Sequence, residues 1–96
     1  KRNYEGFFPL LYIALKDWEN AITWLNTAHE RSPHSRYFGW KAAVYGKMND
    51  LDSAKENLSS FIKERPEIKT LEDYEKVAPT IIQDTLLEGL KIAGLK

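Results

Sequence analysis

The 96 residues contain no cysteine. That removes disulfide frameworks, thiol catalysis and cysteine-ligated zinc together, and it suits a cytoplasmic chain. Histidine is nearly as scarce. His29 and His34 are five residues apart with Pro33 between them, so they cannot form the i, i+4 pair of a zinc-binding helix, and solvated or capping roles are expected for both. Charge of one sign is lacking too: 14 basic and 14 acidic side chains cancel, leaving no global field to hold nucleic acid or an acidic membrane surface. The N-terminal half is mildly basic and the C-terminal half mildly acidic, which reads as a solvated surface. No long apolar run exists either. The segment from Gly6 to Leu15 superficially resembles the start of a signal peptide, but Pro9 and Tyr12 interrupt it, and at ten residues it falls far short of the ~20 needed to span a bilayer.

Glycine-rich phosphate loops, nucleophile elbows and metal clusters are likewise missing, and carboxylates such as Glu72, Asp73 and Glu75 fall in ordinary helix-surface runs. A catalytic site, a cofactor or a metal is therefore not expected. With hydrophobic content of 43% and charged content of 29%, the chain suits one small domain over 1–96. It opens as though mid-protein, with no initiator methionine, and reads as a piece of a longer one.

What is present is a repeat. A shift of 33 residues superimposes Tyr12 on Tyr45, Asp17 on Asp50, Trp18 on Leu51, Ala21 on Ala54, Leu25 on Leu58, Ala28 on Phe61 and Pro33 on Pro66. Within each copy the apolar positions are spaced 3, 4, 3: Trp18, Ala21, Leu25, Ala28, then Leu51, Ala54, Leu58, Phe61. That spacing draws a stripe along a helix and would scatter over both faces of a strand. Each copy predicts a helix A, a tight turn at Lys16-Asp17 or Asn49-Asp50, and a helix B closed by Pro33 or Pro66. Asp17 and Asp50 suit the N-caps of the B helices, and Glu19 and Asp52 favour the positive end of the helix dipole. Pro9 predicts that the first helix A begins only near Phe8.

On these residues the chain resembles a tetratricopeptide repeat protein. Tyr12, Lys16-Asp17-Trp18, Ala21 and Pro33 match the family pattern in the first copy. Ala42, Tyr45, Asn49-Asp50-Leu51, Ala54 and Pro66 match it in the second. The pattern departs at the usual helix A tryptophan, replaced by Glu5 and Phe38, and at Pro9, where a small residue is usual. The resemblance implies an all-α fold of antiparallel helix-turn-helix repeats, with repeat 1 at about 2–34 and repeat 2 at about 35–67. It also implies a concave groove lined by the helix A side chains that face away from helix B. In this chain those are Asn3, Gly6, Phe7, Leu10, Ile13 and Ala14, then Arg36, Gly39, Trp40, Ala43, Gly46 and Lys47. The Lys/Asn/Arg set with which some relatives clamp a terminal carboxylate is not at these positions. Phe7, Leu10, Ile13 and Trp40, with Arg36 and Lys47 at the rim, would instead suit an amphipathic helix or an extended apolar peptide.

The last third departs from the repeat. Thr70 to Asp73 has capping-box spacing, and Leu71, Tyr74, Val77 and Ala78 share a face until Pro79. A final helix is expected from about Thr80 to Ala93, with Gly94 at C′. These elements, over about 70–96, read as caps that cover the last repeat. The ending Leu86-Leu-Glu-Gly-Leu-Lys-Ile-Ala-Gly-Leu95 resembles the C-termini of bacterial signalling proteins, in which tetratricopeptide repeats follow an adenylate cyclase catalytic domain or a winged-helix regulator. The expected function is thus a non-catalytic protein-interaction module, the regulatory or scaffolding end of such a protein, with a protein or peptide partner. The alternative is a structural element that terminates a solenoid or pairs with a second copy as a homodimer.

Overall fold

A computed structural model describes residues 7–96, so Asn3, Glu5 and Gly6 lie outside the described residues. The described residues are all-α: α1 Phe7–Ala14, α2 Trp18–Arg31, α3 Arg36–Lys47, α4 Leu51–Glu64, α5 Leu71–Glu75, a 3-10 turn Thr80–Ile82, and α6 Gln83–Ala93. Helix α1 pairs with α2, α3 pairs with α4, and α2 joins the two hairpins through α3. Helix α1 is described from Phe7, and Pro9 is buried within it.

The 33-residue period holds at the level of individual hydrogen bonds. Helix α1 ends with the Lys16 amide donating to the Ile13 carbonyl and the Asp17 amide donating to the Tyr12 carbonyl. Helix α3 ends in the same way, from Asn49 to Gly46 and from Asp50 to Tyr45. This paired closure satisfies carbonyls of the last turn and needs a left-handed residue at its corner. Lys16, at φ 61°, and Asn49, at φ 64°, fill that corner. The next residue then caps the following helix. Asp17 and Asp50 adopt nearly identical backbone angles and accept from the amides of Asn20 and Ser53, both at 3.4 Å. Asp17 Oδ2 also accepts from the Asn20 side-chain amide at 2.8 Å.

Lysine is a poor choice for a left-handed corner, costing roughly 1–2 kcal/mol against glycine's freedom, whereas asparagine tolerates it. Glycine also loses more entropy on folding, which offsets part of that gain. Lys16→Gly should therefore raise stability by about 0.5–1 kcal/mol while Asn49→Gly stays near neutral. Urea midpoints of the two variants check this, and a loss at Lys16→Gly would overturn the strain argument.

Ala21, Leu25 and Ala28 of α2, and Ala54, Leu58 and Phe61 of α4, are buried along the predicted stripes. Ala21 and Ala54 are fully inaccessible, as the close crossing of each helix pair requires. The leading stripe positions differ: Trp18 is half-buried and Leu51 exposed. Pro33 and Pro66 follow the last turns of α2 and α4, which end at Arg31 and Glu64.

The C-terminal third departs from expectation in three places. Helix α5 stops at Glu75, although its Thr70–Asp73 capping box forms as predicted, with the Asp73 amide donating to Thr70 Oγ1 at 3.1 Å and Asp73 Oδ2 accepting from the Thr70 amide at 3.2 Å. Because the helix ends early, Val77 leaves the face it was expected to share with Tyr74 and is exposed. The expected helix from Thr80 opens instead as a 3-10 turn, and α6 proper begins at Gln83. Gly94 does close α6, at φ 120°, with the Leu95 amide donating to Leu90 and the Gly94 amide to Lys91.

The third departure positions the site. Helix α6 packs chiefly on α3 and only secondarily on α4, so it lies over a face of α3 rather than merely sealing the end of the second hairpin. The contact is backbone to backbone. A Cβ built on Gly46 would stand 2.3 Å from the Gly89 carbonyl oxygen, and one built on Gly89 would stand 2.1 Å from that of Ala43. A 2.8 Å ion pair from Lys47 Nζ to Glu88 Oε1 flanks the crossing. The 3-10 turn also touches α1, so the C-terminal segment reaches both hairpins.

Candidate binding pocket

Of the twelve residues expected to line a groove, Asn3 and Gly6 lie outside the described residues and Ala14 is exposed; the other nine divide into two groups. Ile13 is fully buried and serves as core. Lys47 points to the α6 crossing and is engaged with Glu88. Ala43 and Gly46 lie beneath α6, and Gly39 faces the Phe61 ring, 3.2 Å from where its Cβ would be. The extended groove implied by the repeat resemblance is therefore filled along α3 by the chain's own last helix. The physical reason is the pair of glycines, which lets α6 approach α3 closely.

Phe7, Leu10, Arg36 and Trp40 do come together. They line a pocket of about 650 Å³ with His34, Phe61, Arg65, Tyr74, Val77 and Pro79. Its parts come from α1, the N-terminal end of α3, the C-terminal end of α4, and the α5 region. That volume lies within the range of sites that hold small ligands or a few peptide residues.

The floor is aromatic and rigid. Trp40, Phe61 and Tyr74 are each nearly inaccessible. Phe61 and Tyr74 meet edge to face with ring centroids 5.7 Å apart, and Trp40 meets Tyr37 in the same way at 5.8 Å. Burial pushes the Tyr74 hydroxyl far above the usual tyrosine range, with the neighbouring Trp40 indole pulling weakly the other way. Tyr74 is thus a neutral, fixed wall at any ordinary pH. Phe7 and Val77 stand at the margin, 56% and 52% exposed. They supply apolar surface that a ligand could cover.

The margin is also cationic. Arg36 lies over the Tyr37 ring at 5.1 Å and the Trp40 ring at 5.8 Å, and its Nη2 donates to the Tyr37 hydroxyl at 3.3 Å. Cation–π attraction to the two rings holds the guanidinium near them while leaving donors to spare. Among the described residues no carboxylate pairs with Arg36. Arg65, by contrast, is held by Glu67 at 2.7 Å, and that bond lowers the Glu67 carboxyl below its ordinary value. His34 Nδ1 accepts from the Arg36 amide at 3.2 Å, the capping role expected of it.

His29 does not have the solvated role expected. It is half-buried on α2, with Phe38 at 4.5 Å edge to face and Tyr37 at 5.7 Å. Desolvation, followed by the nearby Lys41, lowers its pKa, against an opposing pull from Glu64 and with a small further lowering from His34. A base whose pKa is depressed by folding binds its proton more readily when unfolded, so stability should rise with pH through this window. The contribution is complete above the unfolded value near 6.5 and is lost as pH falls through the folded one. Between pH 7.5 and 5, His29→Gln should lose less stability than the parent chain in urea titrations. Parallel losses would remove His29 from the account.

Sequence reasoning missed His34, Phe61, Arg65, Tyr74, Val77 and Pro79 as pocket residues. Phe61 was read as stripe and Tyr74 as the buried face of a cap, both of which they are as well. Phe61 and Arg65 stand one helical turn apart at the end of α4, which packs on α3, and the return of the chain through α5 adds Tyr74, Val77 and Pro79. No group of three or more histidine, aspartate or glutamate side chains suited to a metal ion occurs among the described residues, and no helix among them is long and apolar enough to cross a membrane. Compared with known proteins, the chain matches no family model, and neither a curated protein nor a solved structure is significantly similar to it.

Proposed function

We propose that the chain is a non-catalytic, tetratricopeptide-like interaction module that docks a short peptide segment in the pocket between α1, α3, α4 and α5. The observation that carries this reading is the pocket itself: buried aromatic rings as floor, exposed Phe7 and Val77 as margin, and Arg36 fixed above them. Aromatic and arginine side chains around a concave site are the composition of interaction hot spots. With α6 lying along α3, the space favours a few residues of a partner over a long helix laid in a groove. A place at the end of a bacterial signalling protein has only the likeness of Leu86 to Leu95 behind it.

The test is selection of peptides from a random displayed library against the immobilised chain, followed by titration of the selected peptides against the parent and Arg36→Glu. Arg36 is exposed, so its replacement leaves the core alone. Selected peptides that lose at least about tenfold in affinity on Arg36→Glu, the scale of one charge-assisted bond, support docking in this pocket. A different outcome would favour the assembly reading, for which the exposed stripe of Phe7, Leu11 and Leu15 along α1 is the relevant surface. In that case no peptide is selected, and the chain sediments as a dimer that Leu11→Glu dissociates.

A further inference from the structure

The charge around the pocket narrows what it takes. Its lining holds three basic side chains, His34, Arg36 and Arg65, and no acidic one. Glu67 neutralises Arg65, so the charge offered to a ligand is chiefly that of Arg36. Its guanidinium carbon lies 5.8 Å from the centre of the Trp40 ring, and the planar fork stands at the edge of an aromatic floor.

The backbone around it is already committed. The Arg36 amide donates to His34 Nδ1, the Tyr37 amide to the His34 carbonyl and the Phe38 amide to the Ser35 carbonyl. The start of α3 therefore offers no cradle of free first-turn amides such as a phosphate favours. A single planar fork suits a carboxylate, which accepts two parallel N–H bonds from it. The apolar margin of Phe7, Leu10 and Val77 suits an aromatic ring beside that carboxylate.

Building on the proposed docking function, we infer that the pocket's occupant is an acidic-aromatic peptide segment: one aromatic side chain set among Phe7, Leu10 and Val77, with a neighbouring Asp or Glu carboxylate on Arg36. Charge complementarity selects the acid, and the exposed apolar margin selects the ring.

The probes are acetylated and amidated pentapeptides titrated against the whole chain and followed by tryptophan fluorescence and heteronuclear NMR shifts: Ser-Asp-Phe-Glu-Ser, Ser-Lys-Phe-Lys-Ser and Ser-Asp-Ala-Glu-Ser. Adenosine monophosphate serves as the phosphate arm. The acidic-aromatic peptide should bind at least about tenfold more tightly than either of the other two, with shifts at Phe7, Arg36 and Val77. Arg36→Glu should reverse the preference between the acidic and the lysine peptide, and Arg36→Gln should reduce it without reversal. Circular dichroism of both variants confirms that they fold. Equal binding of the three peptides, an unchanged preference in Arg36→Glu, or tighter binding of the nucleotide would overturn the inference. Library-selected peptides that bind the same pocket but carry no acid beside an aromatic ring would overturn it while leaving the docking function standing. Absence of any peptide binding would remove both.

Discussion

Replacing Gly89 by alanine should destabilise the chain by about 3 kcal/mol or more, the upper end of the cost of forcing extra atoms into a packed interior. Propensity alone gives the opposite sign, because alanine inside a helix is favoured over glycine by roughly 1 kcal/mol. The geometry decides between them. A Cβ on Gly89 would meet the Ala43 carbonyl oxygen at 2.1 Å and the Ala43 Cα at 2.7 Å, and these are backbone atoms inside a helix that cannot rotate away. Either α6 moves off α3 as a body or α3 distorts. Gly46→Ala should behave similarly, since its Cβ would meet the Gly89 carbonyl oxygen at 2.3 Å. At Gly94, which lies beyond the helix with nothing within 4 Å, alanine should instead show only the backbone strain of holding φ at 120°, a region that L residues rarely adopt. Urea unfolding of the three variants makes the comparison. An unchanged midpoint for Gly89→Ala would mean that α6 does not rest on α3 in solution.

Trp40→Ala should cost about 3–5 kcal/mol, in the range for deleting a buried large aromatic side chain. Trp40 is only 4% exposed and lies at the junction of several contacts. It meets Tyr37 edge to face, lines the pocket with Phe61 and Tyr74, and has the Arg36 guanidinium over its ring. Its loss leaves a cavity and removes a ring beside which the Arg36 guanidinium rests. Trp40, expected from the sequence to line a groove, is thus also part of the core. Loss of partner capture in Trp40→Ala would report unfolding as readily as binding. Arg36→Glu is the clean probe. A Trp40→Ala chain as stable as the parent would contradict the described burial.

The hairpins were legible because the signals that build them are local. A left-handed corner, an aspartate cap one residue later and a closing proline each act within a few residues. Their recurrence 33 positions on in Asn49, Asp50 and Pro66 doubles the signal. The 3, 4, 3 stripes found α2 and α4 for the same reason. The fate of α3 was not legible, since whether Ala43 and Gly46 line a groove or receive a helix depends on a segment some forty residues away. A trace of it does exist. Small residues on a face of α3 (Gly39, Ala43, Gly46) and of α6 (Gly89, Ala93) are what two helices need in order to cross closely. The pocket was half legible: Phe7, Leu10, Arg36 and Trp40 were named, Phe61 and Arg65 were hidden in the stripe and end of α4, and Tyr74, Val77 and Pro79 depend on how the chain returns after Pro66. Val77 was placed on the wrong side because α5 ends sooner than the Leu71, Tyr74, Ala78 pattern implies.

The return of α6 to α3 also bears on how the chain acquires its structure. An array of stacked repeats can start anywhere and grow by neighbour contacts, each hairpin adding its own increment. Here a bond such as Lys47 to Glu88 joins positions 41 apart in sequence, and the 3-10 turn near residue 80 reaches back to α1. The entropy of closing those loops must be spent before the contacts that reward it exist. The four-helix part can therefore assemble early as a partial structure with the Ala43 and Gly46 strip bare, and the search ends only when the last helix finds that strip.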